Sequence, residues 1–305
     1  MRPFRAFLVA LALASAAFPG CTGVASVARG PERRVPSADG VPIAYEELGS
    51  GAPALVFVHG WCGERGLWRA TLEALAPRHR VIALDLAGHG SSGAARTRWT
   101  LAALADDVVA VVEASGATEV ILVAHSMGAP VALLAAPRLA PRVRGVIAVD
   151  SLHRADFAYP PGFLEQSACA LEADFPRAVG ASLRAVVPAT APAELLDWIQ
   201  MRALRTDRRA AVGLLRGLED FQLGPVLAAA GVPVRVIDAA ASEPAADVEQ
   251  NRRLADFEAL SMEGVGHFPM LEQPADFLAL LEHWIDELSA SPRASRAASS
   301  EPAPR

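Results

Sequence analysis

Lysine is missing from this 305-residue chain, so all 28 basic side chains are arginines. We read that, together with alanine at about a fifth of the positions, as the codon usage of a GC-rich genome and not as a device of function. Cysteine is scarce as well: three residues are too few for a small fold stapled by disulfides. Net positive charge is absent, and a formal charge of -6 argues against a nucleic-acid binder. Nor is there a bilayer-length apolar run at the N-terminus, where the stretch Phe7 to Phe18 reaches only about a dozen residues. What is present is 52% hydrophobic residues, which excludes a disordered chain, although alanine makes that figure overstate the core. The length suits one large α/β domain or two small ones.

Arg2 and Arg5 precede the apolar run, and small residues follow it, which gives the three parts of a secretory leader. We therefore expect residues 1–20 to be a signal peptide and the protein to be exported to the cell envelope, either periplasmic or membrane-attached. Pro19-Gly20-Cys21 resembles the lipobox of bacterial lipoproteins. That resemblance implies a lipidated Cys21 as mature N-terminus, attached to a membrane surface, because two or more acyl chains hold where one is marginal. The other reading of Cys21 is an ordinary residue of a cleaved peptide. Residues 21–32 then form a linker, and residues 289–305, rich in Ala, Ser, Pro and Arg without periodicity, a disordered tail.

Between these ends strands and helices alternate. Arg33 to Ser37 and Val41 to Leu48 flank the turn dipeptide Asp39-Gly40 and predict a hairpin. Short apolar runs at Ala54 to Val58, Val81 to Leu84, Val120 to Ala124, Val143 to Val149 and Val232 to Ile237 suit strands buried on both faces. Trp99 to Ala114 and the spacing of Phe277, Leu281, Trp284 and Leu288 follow the helical period. This alternation predicts a mostly parallel sheet with helices on both faces. From Ser151 to about Gly224 apolar residues recur at helical spacing among prolines with no clear strand, which predicts an inserted helical cap at about 151–224.

Val123-Ala124-His125-Ser126-Met127-Gly128 follows a predicted strand and opens a helix, the context that a nucleophile elbow requires. A serine on so sharp a turn is pushed out at the carboxyl edge of the sheet, and small neighbours let strand and helix backbones meet. The bland alternative is an ordinary helix N-terminus with Ser126 near its cap. Three further segments agree in order: His59-Gly60-Trp61, Asp85-Leu86-Ala87-Gly88-His89-Gly90-Ser91-Ser92, and Gly264-Val265-Gly266-His267-Phe268. Together the four segments resemble the α/β-hydrolase family over roughly residues 33–288. The resemblance implies Ser126 as nucleophile, His267 as general base, and the backbone N–H groups of Trp61 and Met127 as an oxyanion hole. It implies no cofactor, and we assign no metal site. A small-molecule substrate is the expected partner, with no nucleic acid.

The acid is open among several residues. Most of the family carries it after the strand that here is Val232 to Ile237, near Ser242 and Glu243, but the loop lacks the usual Gly and Asp. Some members carry it one strand earlier, where Asp150 follows Val143 to Val149. We favour Asp150, with Glu243 second and Asp238 and Asp247 behind; for Asp150 the plainer role is a cap at the start of the insert. Of the other histidines, His59 and His89 are expected in turns at the pocket rim, His125 beneath the elbow, and His79, His153 and His283 on the surface or in loops.

A serine nucleophile means acyl transfer, which argues against the epoxide hydrolases and dehalogenases of the same fold, because these attack with Asp. Hydrolysis of a carboxylic ester leads. Thioesterase, lactonase, amidase, carbon-carbon hydrolase, cofactor-free peroxidase and a non-catalytic binding module are the alternatives. Phe157, Tyr159, Phe163, Leu164, Phe175, Trp198, Ile199, Met201 and Phe221 are candidates to line an apolar cavity or else to pack the cap. Arg177, Arg184, Arg202, Arg205, Arg208 and Arg209 are candidates to receive an acidic substrate or else solvated helix faces. Cys62, in the expected oxyanion loop, and Cys169, in the expected cap, are candidates for a bridge that clips the two in an exported protein, but two cysteines do not define one.

Overall fold

The computed structural model describes residues 30–240 and 246–290. The expected leader, Cys21, Ser242 and Glu243, and the tail from residue 291 lie outside them. Eight strands form one sheet: β1 (Arg33–Pro36), β2 (Pro42–Leu48), β3 (Ala54–Val58), β4 (Val81–Leu84), β5 (Val120–His125), β6 (Val143–Val149), β7 (Val234–Ala239) and β8 (Phe257–Met262). The spatial order is β1-β2-β4-β3-β5-β6-β7-β8. The hairpin β1-β2 pairs antiparallel and β2 runs antiparallel to β4, while β3 to β8 are mutually parallel.

The central strands β3, β4, β5 and β7 are buried on both faces because they alternate between two cores. Val56 and Val58 of β3 enter one core and Leu55 and Phe57 the other. Helices α2 (Leu101–Ser115) and α3 (Gly128–Leu139) cover the first, and α1 (Arg69–Leu75) and the late helix Pro274–Ala290 the second. In α2 the residues Leu101, Leu104, Val108, Val111 and Val112 are buried on one stripe; Thr100 accepts from the Ala103 amide at the start, and Gly116 ends the helix at φ 66°. Thr100→Ala would cost about 1 kcal/mol through that lost cap.

The connection from β6 to β7 carries the inserted helical cap: α4 (Phe163–Ala173), α5 (Phe175–Val186), α6 (Ala193–Ala203) and α7 (Arg208–Gly217), followed by α8 (Leu223–Ala229). Then come α9 (Val248–Arg252), α10 (Pro269–Glu272) and α11 (Pro274–Ala290). Helix α11 includes Ser289 and Ala290, which the sequence reading put in the tail. Strand β7 also shifts from its expected run: Pro233 lacks an N–H to donate, and the ladder starts at Val234, whose amide reaches the Asp256 carbonyl at 2.7 Å. That moves Asp238 into the strand. The chain winds outward from β3 to β4 and then crosses back to β5, so β3 and β5 flank the point where the winding reverses. Open parallel sheets leave a crevice there, outside the carboxyl ends of the strands.

Candidate active site

Ser126 follows β5 in the left-handed region, at φ 52°, before α3 begins at Gly128. A non-glycine residue there costs of order 1–3 kcal/mol, and the fold supports it with hydrogen bonds. The Ser126 amide donates to the Val149 carbonyl at 3.0 Å, and its own carbonyl accepts from the Ala129 amide and the Ser151 hydroxyl, both at 2.9 Å. Only small residues fit around the turn. A Cβ on Gly128 would lie 2.6 Å from the His59 carbonyl oxygen, and one on Gly60 would lie 2.9 Å from the Ser126 Cβ.

The loop after β8 brings His267 to this serine, with Nε2 2.9 Å from the Ser126 Oγ. His267 Nδ1 is 2.5 Å from Oδ2 of Asp150, at the end of β6. The imidazole thus donates from Nδ1 to the carboxylate and accepts the serine hydroxyl at Nε2. Asp150 is 3% exposed and its Oδ1 accepts from the Ala239 amide at 3.1 Å. The backbone of His267 is fixed from two sides: its amide donates to the Val186 carbonyl of α5 at 3.0 Å, and its carbonyl accepts from His125 Nε2 at 2.6 Å. Of the other acid candidates, Asp238 joins the neighbourhood through His153, and Asp247 caps α9 instead, accepting from the Gln250 amide at 2.9 Å.

Residues 53–274 match the family model of the alpha/beta hydrolase fold. The chain belongs to that family. Among curated relatives of this α/β-hydrolase, the dihydrolipoyllysine-residue acetyltransferase component of the acetoin cleaving system of Cupriavidus necator is 30% identical, over 80% of this chain and 66% of its own length. The corresponding Pseudomonas putida component is matched over 35% of its length, so the chain spans about a third to two thirds of these two relatives. The pimeloyl-[acyl-carrier protein] methyl ester esterase of Xylella fastidiosa is 29% identical, over 80% of this chain and 99% of its own. A thermophilic esterase from Thermogutta terrifontis shares the fold, with TM-score 0.74 and 22% identity, over 85% of this chain and 99% of that one.

A partly open cavity of about 130 Å³ is lined by Ser126 and His267 in this α/β-hydrolase. Its walls are Trp61, Leu67 and Phe268 from the sheet side and Leu183, Val186 and Ile199 from the cap. Among the described residues no Asp, Glu or Arg lines it. Of the nine cap residues considered from sequence, only Ile199 does. Phe157, Tyr159, Phe163 and Met201 are exposed, Leu164 packs inside the cap, and Phe175, Trp198 and Phe221 pack against the cores. The wall residues missed in sequence, Leu183 and Val186, belong to α5, whose Val179 and Leu183 sit one helical turn apart and both face inward. The arginines stay out of the cavity: Arg202 pairs with Glu64 and stacks on Trp198 at 4.0 Å, while Arg209 pairs with Asp207.

Among the remaining histidines His59, His89 and His125 are buried, so His59 and His89 are not at a rim, whereas His79 is half-buried and His283 exposed. His59 Nδ1 donates to the Gly60 carbonyl at 2.8 Å and its Nε2 accepts from the Leu86 amide at 3.0 Å. Burial holds all three neutral, pushing His59 well below its ordinary value, His89 down to about 4 and His125 to about 3. Cys62 and Cys169 are both free, one buried and one exposed. Burial pushes the Cys62 thiol up, so it stays protonated beside the serine.

His153 lies in a loop as expected, between β6 and α4, but is largely buried there. Its Nε2 is 2.7 Å from Asp238 Oδ1 and 3.5 Å from Asp150 Oδ1, and the donor atoms of these three residues all lie within 4.8 Å of one another. Burial disfavours the charged imidazole, but the two carboxylates outweigh it and raise His153 to about 9. A protonated ring between two carboxylates makes an ion pair with them.

Proposed function

We propose that the protein hydrolyses a carboxylic ester carrying a small apolar group, through an acyl-enzyme on Ser126. The observation that carries this is the hydrogen-bonded chain Ser126, His267, Asp150, at 2.9 and 2.5 Å, opening into a neutral apolar cavity. His267 takes the hydroxyl proton as Ser126 Oγ attacks the ester carbonyl. Asp150 holds the Nδ1–H tautomer and stabilises the imidazolium that forms. The Trp61 and Met127 backbone N–H groups receive the developing oxyanion, aided by the positive end of α3. His267 then returns the proton to the leaving alkoxide, and water repeats the sequence to release the acid. The likeness to a methyl ester esterase supports the ester reading.

A cavity of about 130 Å³ takes a group about as large as benzene. We therefore assign short, uncharged acyl or alkyl groups to it. The sequence Phe7 to Phe18 followed by Cys21 supports export with a lipid on Cys21, and mass measurement of the mature protein tests that reading. The enzymatic proposal is tested with p-nitrophenyl esters of increasing chain length and a fluorophosphonate probe. Turnover highest on short chains and probe labelling at Ser126 are expected. Absence of both in the wild type points to a binding module.

A further inference from the structure

The adjacent strands β6 and β7 end in two buried carboxylates, Asp150 and Asp238, each 3% exposed. Two carboxylates in one buried site repel each other, and one of them takes up a proton unless a cation intervenes. The cation is His153, 2.7 Å from Asp238 Oδ1 and 3.5 Å from Asp150 Oδ1. We propose that His153 and Asp238 are positioning residues that act through Asp150, an imidazolium and carboxylate pair that keeps Asp150 ionised and aimed at His267. This rests on the reading of Asp150 as the acid of the triad.

The local backbone is shaped for that contact. Asp150 and Leu152 both lie in the left-handed region, at φ 42° and 61°, and fold the chain back so that His153 returns over the carboxylate three residues earlier. Two positive-φ non-glycine residues so close together cost energy, and α9 holds them in place. The fully buried Asn251 donates from Nδ2 to the Leu152 carbonyl at 2.8 Å and the His153 carbonyl at 3.3 Å, and the Asp247 amide adds a bond to the His153 carbonyl at 2.8 Å.

The charge arithmetic follows from what faces the pair. From the loop after β8 comes His267, and from the end of β5 the neutral His125; from α9 comes Asp247, whose carboxylate turns away toward Arg154 at 3.9 Å. Burial raises Asp238, His153 draws it back down, and Asp150 raises it again. Among the described residues, with His153 charged, two carboxylates and one imidazolium leave a single negative charge behind His267. That is the charge a lone acid would supply, but spread over a braced network.

The test is the acid limb of kcat/KM against pH, which follows protonation of His267. Asp238→Asn removes a negative charge, so the limb should move to lower pH by about one unit, with about a tenfold loss at neutral pH. His153→Gln removes the cation, so the carboxylate pair takes up a proton, and kcat/KM at neutral pH should fall about tenfold. The double variant leaves Asp150 as the lone carboxylate and should recover most of both losses, with its limb near the wild-type position, and His153→Arg, which keeps the cation, should leave the limb there. A merely structural role would make the two losses add. Losses that add, or an Asp238→Asn limb that does not move, overturn the proposal. Asp150→Asn is the control: full turnover in that variant overturns the triad reading and this proposal with it, whereas an inactive Asp150→Asn with additive losses overturns this proposal alone.

Discussion

The floor and the roof of the cavity are built on different principles. The floor, at the carboxyl ends of β3, β5 and β6 and the loop after β8, is polar, buried and backbone-strained, with Ser126 at φ 52° and Asp150 at φ 42°. The roof offers aliphatic side chains from α5 and α6 and touches the floor through a few polar contacts: the Trp61 indole on the Ala211 carbonyl at 3.0 Å, the Asp207 amide on the Gly88 carbonyl at 2.8 Å, and the Arg202 pair with Glu64. Chemistry needs atoms held to fractions of an ångström, which a sheet edge supplies. Discrimination between substrates needs only a shape, which helices can supply and vary.

That contrast can be broken at several points. The largest effect is expected on the floor: Ser126→Ala should lower kcat about a million-fold while leaving Tm nearly unchanged, read by ester hydrolysis and calorimetry. Next comes the acid, where Asp150→Asn should cost about 10⁴ in kcat through loss of the correct imidazole tautomer. Glu243→Gln should stay within a few-fold of the wild type, and the reverse ranking would move the acid to the loop after β7. On the roof the effect should be one of preference. Ile199→Ala should favour an ester longer by one or two carbons by about tenfold in kcat/KM relative to the wild type, with the chemical step intact.

The smallest effect concerns acid stability and again divides floor from roof. His89 and His125 are held at about 4 and 3 in the folded protein, below the ordinary value for histidine of about 6.5. Their unfolded forms bind protons first, so their contribution is complete above pH 6.5 and is lost as pH falls from there toward 4. Asp85 runs the other way: burial raises it to about 6 against the pull of Arg65, which offsets part of that loss. His89→Gln should therefore flatten Tm between pH 6.5 and 4, and an unchanged slope would show that the ring is not held neutral.

Much of the fold was legible because its signal is local. The strands β3, β4 and β6 coincide with continuous apolar runs, since strands buried on both faces cannot alternate, and the elbow is a six-residue pattern. Residues 125 and 267, by contrast, are joined by a ring nitrogen on a backbone carbonyl, across 142 positions of sequence. The bond between His153 and Asp238 spans 85 positions and leaves no spacing to read. The aromatic residues of the cap were the conspicuous candidates for a pocket wall, but the cap's share of the wall is aliphatic: Phe157, Tyr159 and Phe163 face water and pack on one another, one pair edge-on and one stacked.

The amide of His267 has a further use as an isotopic clock. It donates to Val186, the last residue of α5, so its hydrogen is released to solvent when that end of the cap lifts. Deuterium uptake at this one position would therefore time any lifting of that end of the roof, read at the residue proposed as general base.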